Sequence, residues 1–199
     1  MDLPVHVAAG ALAGNILLYI HAKSRPRLDL DAEMVKIGVA GLLYGVISHL
    51  LLDALPYYDW LFYIHIFKPL PYYWMFPPVL TTLPVLAAAF QLNRDARLVT
   101  SLSILGGVYP DIEKLMYIDW HLPKSLVLFP FHSCSLSGSA WESSHKHFLI
   151  FWELVVFALI MFGLYWCAEQ RMQLLARRRE FSVEMMANEE RFNETTSAF

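Results

Sequence analysis

Long runs of apolar residues, separated by short polar stretches, dominate the hydropathy pattern of this 199-residue chain. Each run approaches the roughly 20 residues that a helix needs to cross a hydrocarbon core about 30 Å thick. The pattern therefore predicts an all-α fold, a polytopic transmembrane helical bundle of about five membrane helices followed by a cytoplasmic C-terminal helix. The predicted membrane helices cover residues 4–22, 35–55, 74–92, 98–117 and 148–167.

Composition supports a membrane protein and argues against a nucleic-acid partner. Hydrophobic residues make up 57% of the chain, whereas soluble domains are about 45–50% apolar. The formal net charge is -3, and no basic patch interleaved with aromatic residues offers a nucleic-acid surface. The two cysteines, Cys134 and Cys167, are too few for a disulfide framework.

Lysine and arginine residues set the predicted orientation, because cytoplasmic loops carry an excess of them. They flank the first and third connections and follow the last helix, and five alternating spans place these three groups on one face. We therefore expect the N-terminus outside and the C-terminus in the cytoplasm. Residues 1–167 would form the transmembrane bundle, and residues 168–199 a charged cytoplasmic tail that offers a protein partner a docking element.

Polar side chains on three of the predicted helices reach the same depth in the membrane. At a rise of 1.5 Å per residue, His6, His49 and Asp111 each lie about 20–25 Å from the basic end of their helix. Asp53 lies one helical turn beyond His49. The outer loop and the start of the last helix, on the same side, carry His132, His145 and His147. All the strong ligand candidates therefore face the outer side.

Small residues continue the polar stripe along each of these three helices. They recur at steps of four from the polar group, and residues at that spacing stay near one helix face. Small residues so spaced let membrane helices approach closely. We expect the three helices to pack together with their polar groups converging at the outer end. The small residues are Gly10 and Gly14, Gly41 and Gly45, and Ser103 and Gly107.

These polar side chains have the donor chemistry of a metal site. A charged side chain at the bilayer centre costs at least about 2.5 kcal/mol on insertion scales, and such residues are functional candidates by default. Imidazole nitrogen and carboxylate oxygen are ligands that Zn²⁺ and similar ions accept. We expect a divalent metal ion, with zinc favoured, held by residues from the set His6, His49, Asp53, Asp111, His145 and His147. The expected catalytic groups are Asp53, Glu113 and His132.

Each of these side chains also has a plain structural interpretation. A lone intramembrane histidine such as His6 is commonly a hydrogen-bonded packing residue. His49 and Asp53 can form a polar pair at a helix end, and Asp111 can extend to the interface. The histidines at the start of the last helix can simply be solvated. At the level of single residues these alternatives stay open.

Four short segments resemble a known family. They are His6 ahead of its small-residue run, the helix segment from His49 to Asp53, the segment from Pro110 to Glu113, and His132 followed by Ser133. Together they resemble the membrane-bound metal-dependent hydrolase-like family, the YdjM-like small polytopic membrane proteins. The resemblance implies metal-dependent hydrolysis in a bacterial-type inner membrane. The chain departs from the family pattern in two ways. Glu113 stands where the family usually has a second aspartate. The segment from His49 to Asp53 precedes the Pro-Asp segment here, whereas in the family it comes late.

The leading interpretation is a membrane-embedded metal-dependent hydrolase that acts on an amphiphilic, lipid-like ester or phosphoester at the outer face. A metal-activated water would be the attacking group, and the substrate would be amphiphilic because the site lies at headgroup depth. One alternative is a non-catalytic structural or partner-binding membrane protein with an interhelical polar network. Another is an ion transporter, although no chain of polar groups continues to the cytoplasmic face.

Overall fold

The computed structural model describes residues 2–24, 30–55, 76–129 and 145–197, and the regular structure in these ranges is entirely helical. A short 3-10 turn, Lys124–Leu126, follows the fourth of five α-helices. The helices are α1 Leu3–Ser24, α2 Leu30–Asp53, α3 Phe76–Leu92, α4 Arg97–Asp119 and α5 Lys146–Ser197. The predicted all-α class is confirmed.

Three of these helices are long and apolar enough to cross a membrane. They are α1, the Glu33–Asp53 part of α2, and the Lys146–Asn188 part of α5. Helix α3 is apolar but has only 17 residues, and α4 carries Asp111, Glu113 and Lys114 in its second half. The chain is therefore consistent with a membrane protein, but length and composition support three spans among the described helices rather than the predicted five.

The outer surface of the bundle is apolar, whereas its interior contains polar groups. On α2, Val35, Val39, Leu43 and Ile47 recur at steps of four, and each is about half exposed. A soluble protein rarely exposes so continuous an apolar stripe, whereas lipid tails can cover it. The buried polar residues of the three central helices include Asn15, Thr100 and Ser103. This distribution agrees with a membrane setting.

Contacts between helix ends define two opposite ends of the bundle. Helix α1 begins beside the end of α2, where His6 contacts Asp53, and it ends beside the start of α2, where His21 contacts Glu33. The two helices are therefore antiparallel. We name the first end the His–Asp end, formed by His6, His49, Asp53 and Asp111. The opposite Arg end is formed by His21, Glu33, Asp95 and Arg171.

Helices α1, α2 and α4 touch through their backbones along stripes of glycine. A Cβ atom on Gly10 would lie 2.6 Å from the carbonyl oxygen of Ser103. One on Gly107 would lie 2.7 Å from the carbonyl oxygen of His6. A Cβ atom on Gly45 of α2 would lie even closer to the carbonyl oxygen of Ser103 than one on Gly10 would. Since only glycine fits at these contacts, the steps of four in the sequence correspond to the packed faces.

Helix α5 is a single helix of 52 residues, about 78 Å long at 1.5 Å per residue. It packs mainly on α1. The helix continues past Cys167, the predicted boundary between bundle and tail, and reaches Ser197 without a break. Beyond the bundle its large apolar side chains are exposed, including Phe181, Val183 and Met186.

Candidate metal centre

Four of the predicted ligands meet at the His–Asp end. The Nε2 atom of His6 lies 3.1 Å from Oδ1 of Asp53. The Nε2 atom of His49 lies 3.2 Å from Oδ2 of the same carboxylate and 3.8 Å from Oδ1 of Asp111. Among the described residues, His6, His49 and Asp53 form a group whose ligand atoms all lie within 4.8 Å of one another.

Helix geometry explains this convergence. His49 and Asp53 are four residues apart on α2 and therefore share a face. The rings of His6 and His49 stack, with centroids 3.9 Å apart and planes 24° from parallel. The stack requires α1 to lie close to α2. Helix α1 also lies close to α4, because Gly107 has no side chain and leaves room for the backbone of His6. The glycine packing and the polar cluster are parts of one arrangement.

The hydrogen bonding of His49 fixes which of its nitrogens faces the carboxylates. Its Nδ1 atom lies 2.7 Å from the carbonyl oxygen of Gly107. Because a carbonyl oxygen only accepts, Nδ1 carries a hydrogen and donates it. In the neutral ring Nε2 is then an acceptor, and it faces oxygens of Asp53 and Asp111. These acceptors repel one another unless a proton or a metal cation lies between them.

The surroundings of His6, like those of His49, favour a bound cation. Its side chain is fully buried, and neither ring nitrogen has a hydrogen-bond partner within the described part of the chain. The shortest contact of Nε2 is with Oδ1 of Asp53, at 3.1 Å. Buried polar atoms are normally satisfied. A cation shared with Asp53 would satisfy Nε2.

The spacing of His6, His49 and Asp53 fits a single divalent ion, and Asp111 lies beside this group. Donors at 2.0–2.1 Å from a tetrahedral zinc ion lie about 3.3 Å from one another. The nitrogen–oxygen separations here are 3.1, 3.2 and 3.8 Å, so small side-chain movements suffice. Two imidazoles and two carboxylates also match the charge of a divalent cation. The donor set therefore suits zinc or a similar ion.

The cluster is closed on the histidine side and open on the aspartate side. The side chains of His6 and His49 are 0% exposed, that of Asp53 is 11% exposed and that of Asp111 is 33% exposed. Ile112, the apolar residue that follows Asp111 in sequence, is exposed as well, at 40%. A molecule that reaches the cluster by way of Asp111 therefore meets apolar surface at the same height.

Glu113, predicted as a catalytic carboxylate, holds backbone in this structure. It is 2% exposed, and its two oxygens accept the backbone N–H groups of Leu128 at 3.0 Å and Phe129 at 2.8 Å. The ring of Phe129 also makes an edge contact with Tyr109, with centroids 6.2 Å apart. Glu113 thus fastens the segment after the 3-10 turn to α4.

The remaining predicted histidines are not part of the described cluster. His145 and His147 are exposed at the start of α5, outside the group that could hold a metal ion. Helix α5 begins at Lys146, so these two histidines flank its first residue. His132 lies outside the described residues.

Two carboxylates at this end were not among the predicted ligands. Asp2 and Glu153 are 1% and 2% exposed, and Oε1 of Glu153 accepts the backbone N–H of Asp2 at 2.6 Å. Both line a cavity of about 180 Å³ whose other walls include Val5 and Phe157. A sequence signal for Glu153 exists, because it is the one charged residue in the apolar run 148–167.

Comparisons with known proteins add no assignment: a scan against protein-family models, a search of curated proteins and a search of solved structures each return no match. The family resemblance therefore stands on its four short segments, and function is argued from the geometry of the site.

Proposed function

We propose that this chain is a membrane-embedded metal-dependent hydrolase that acts on an amphiphilic, lipid-like ester or phosphoester at the His–Asp end. The observation that carries the proposal is the orientation of His49, whose acceptor atom Nε2 faces the carboxylates of Asp53 and Asp111. A divalent cation bound by His6, His49 and Asp53, with Asp111 beside it, would remove the repulsion. It would also offset the cost of carboxylates at membrane depth.

A bound divalent ion would supply Lewis-acid activation of water and of the ester or phosphoryl oxygen under attack. The residues of the chain have separate tasks. His6, His49 and Asp53 hold the ion, and the Gly107 carbonyl fixes the ring of His49 through Nδ1. Asp111 is the most exposed of the carboxylates in the cluster, and it is placed to accept a proton from an incoming water.

The substrate class follows from the surface around the site. Ile112, next to Asp111 in sequence, exposes apolar area, and a lipid-like chain that lies against it would have its polar ester near the cluster. A fully water-soluble substrate would gain nothing from this surface. An amphiphilic substrate therefore fits the site better.

The proposed setting is a bacterial-type inner membrane crossed by all five helices, with the N-terminus outside. It is supported by the antiparallel course of α1 and α2 and by the basic residues near the Arg end. In a chain with Cys134 and Cys167 replaced by serine, an impermeant maleimide applied to intact cells should label Leu55→Cys but not Ser24→Cys. The reverse pattern would refute this orientation.

Metal analysis of the detergent-purified chain tests the proposed activity. We expect about one divalent ion per chain, lost in Asp53→Asn and retained in Asp95→Asn, which removes a carboxylate at the opposite end. Hydrolysis of phospholipid and carboxylic ester substrates should stop on chelation and return when the metal is restored. Folded wild-type chain that binds no divalent ion would defeat the proposal.

A non-catalytic polar network is the second candidate, because protons can take the place of the cation. If His6 and His49 are both imidazolium, they balance the charges of Asp53 and Asp111 at the same distances. The cluster would then join α1, α2 and α4 in a structural or partner-binding protein, with residues 168–199 as the docking element. This candidate predicts a thermal unfolding temperature that chelators leave unchanged, whereas the metal site predicts a decrease.

A further inference from the structure

The Arg end contains a buried guanidinium that its neighbours satisfy only in part. Arg171 is 2% exposed. Its Nη2 atom donates to Oδ1 of Asp95 at 2.8 Å and to the carbonyl oxygen of Leu92 at 3.4 Å. Its Nε and Nη1 atoms are buried without a hydrogen-bond partner in the ranges that the structure describes. Buried donors without acceptors are rare and costly, so an additional acceptor is expected here.

Arg171 lines a small cavity of about 40 Å³ between α1, α2, α5 and the turn that joins α3 to α4. His21 and Asp95 supply the other polar walls, and the rest is apolar, including Leu18 and Met34. A water molecule has a share of about 30 Å³ in the liquid. The cavity therefore admits one small polar group, such as an oxygen atom on a larger molecule, but not a complete headgroup.

The fixed charges around the cavity favour an anion. Among its lining residues and their immediate neighbours in sequence, five side chains are cationic and two are carboxylates. Of the two carboxylates, Asp95 is paired with Arg171 and Glu33 with His21 at 2.9 Å. The cations are Lys23, Lys36, Arg94, Arg97 and Arg171. The surplus of positive charge attracts a negatively charged acceptor more strongly than a neutral one.

We infer that this cavity binds a phosphate oxygen of an anionic phospholipid, with Nε and Nη1 of Arg171 as donors. Basic pockets between membrane helices are a recurrent site for anionic headgroups. A lipid fits better than free phosphate because Ile16 and Ile20 of α1 are exposed near this end and offer apolar surface to its acyl chains. The inference requires a membrane setting but not the proposed hydrolysis.

Lipid binding to the full-length chain in detergent tests the inference. Dioleoylphosphatidylglycerol is titrated, and bound lipid is counted by native mass spectrometry. We expect one tightly held lipid per wild-type chain and an affinity at least about tenfold lower in Arg171→Met, as loss of charge-assisted hydrogen bonds predicts. Arg179→Met is the matched control, because it removes the same charge from an exposed position on the same helix. Its affinity should stay within about twofold of wild type.

A second variant keeps the test decisive if Arg171→Met does not fold. Asp95→Asn removes a competing carboxylate and releases Nη2 of Arg171, so it should bind phosphatidylglycerol more tightly than wild type does. An unchanged or lower affinity in Asp95→Asn would overturn the inference, as would equal affinities in the two arginine variants. Inorganic phosphate is the third probe. If it displaces the lipid at millimolar concentration and binds alone with the same dependence on Arg171, the lipid source is refuted.

Discussion

At the His–Asp end, two buried imidazoles face two carboxylates. At the Arg end, a buried guanidinium has one carboxylate and, among the described residues, further donors without an acceptor. The first group needs a positive charge between its acceptors, and the second needs an acceptor. Both ends also place a histidine of α1 beside a carboxylate of α2. His6 is fully buried in a cluster, whereas His21 is 17% exposed in a simple pair with Glu33. The comparison shows that a histidine–carboxylate pair becomes a metal candidate here only where further buried donors converge on it.

The largest expected effect separates the histidines of the two ends. His49→Ala removes a proposed ligand and should weaken divalent-metal binding by more than about a hundredfold, since loss of a supporting residue alone costs 10–100-fold. His21→Ala should leave the affinity within about twofold, because the His21–Glu33 pair lies at the opposite end of α1. Competition with a chromophoric chelator in detergent measures both. Equal losses in the two variants would contradict the contrast between the ends.

Helix packing beneath the His–Asp end gives the next largest effect. Gly107→Ala should lower the free energy of unfolding by about 1–3 kcal/mol, because its Cβ would meet the backbone of His6 and of Gly10. Gly163→Ala is the control. Its Cβ would meet only the Leu12 side chain, at 3.4 Å, so better helix propensity should leave stability unchanged or raise it by up to about 1 kcal/mol. Denaturant titration in micelles measures both, and a loss of the same size in Gly163→Ala would show that the close contact is not the cause.

A smaller, local effect is expected at the segment that Glu113 holds. Glu113→Gln leaves one acceptor for two backbone donors, which should cost about 1–3 kcal/mol locally. Faster hydrogen exchange at the amides of Leu128 and Phe129 would report it. The control Glu169→Gln changes an exposed side chain that accepts a hydrogen bond from Gln173 on α5, and it should leave these amides unaffected. Unchanged exchange in Glu113→Gln would mean that the carboxylate does not hold this segment.

The smallest expected effect concerns stability at the Arg end. His21→Ala breaks a partly exposed pair, and such pairs contribute about 0–1 kcal/mol. The free energy of unfolding should therefore fall by no more than about 1 kcal/mol. A larger decrease, measured by the same denaturant titration, would show that this end relies on its histidine as much as the other end does.

The sequence predicts the core of the His–Asp end because two independent regularities coincide there. Helix rise places His6, His49 and Asp111 at one depth, and the small residues at steps of four identify the packed faces that carry them. Both regularities are local properties of single helices, so neither requires knowledge of the tertiary fold. Three of the five predicted spans meet the criteria of length and composition. The other two stay predictions, because α3 has only 17 residues and α4 carries three charged residues in its second half.

Other features depend on contacts that leave no local pattern. Glu113 accepts N–H groups from residues 15 and 16 positions away, and any residue type except proline supplies such donors. The burial of Arg171 does have a sequence signal. It lies on the face of α5 that carries Leu164 and Ala168, both buried, at helical spacing. Its position after the last apolar run nevertheless suggests a solvated tail. Its burial depends partly on the turn between α3 and α4, whose Asp95 it contacts, and this contact leaves no local pattern in the sequence.

Gly107 joins packing and chemistry in one residue. Its missing side chain admits α1, and its carbonyl oxygen holds the ring of His49. Any larger residue at this position would move α1 and change the surroundings of His49 in the same step. A substitution at Gly107 therefore cannot change the packing of these helices without also changing the cluster. Substitutions on the open side, around Asp111, would change the cluster alone.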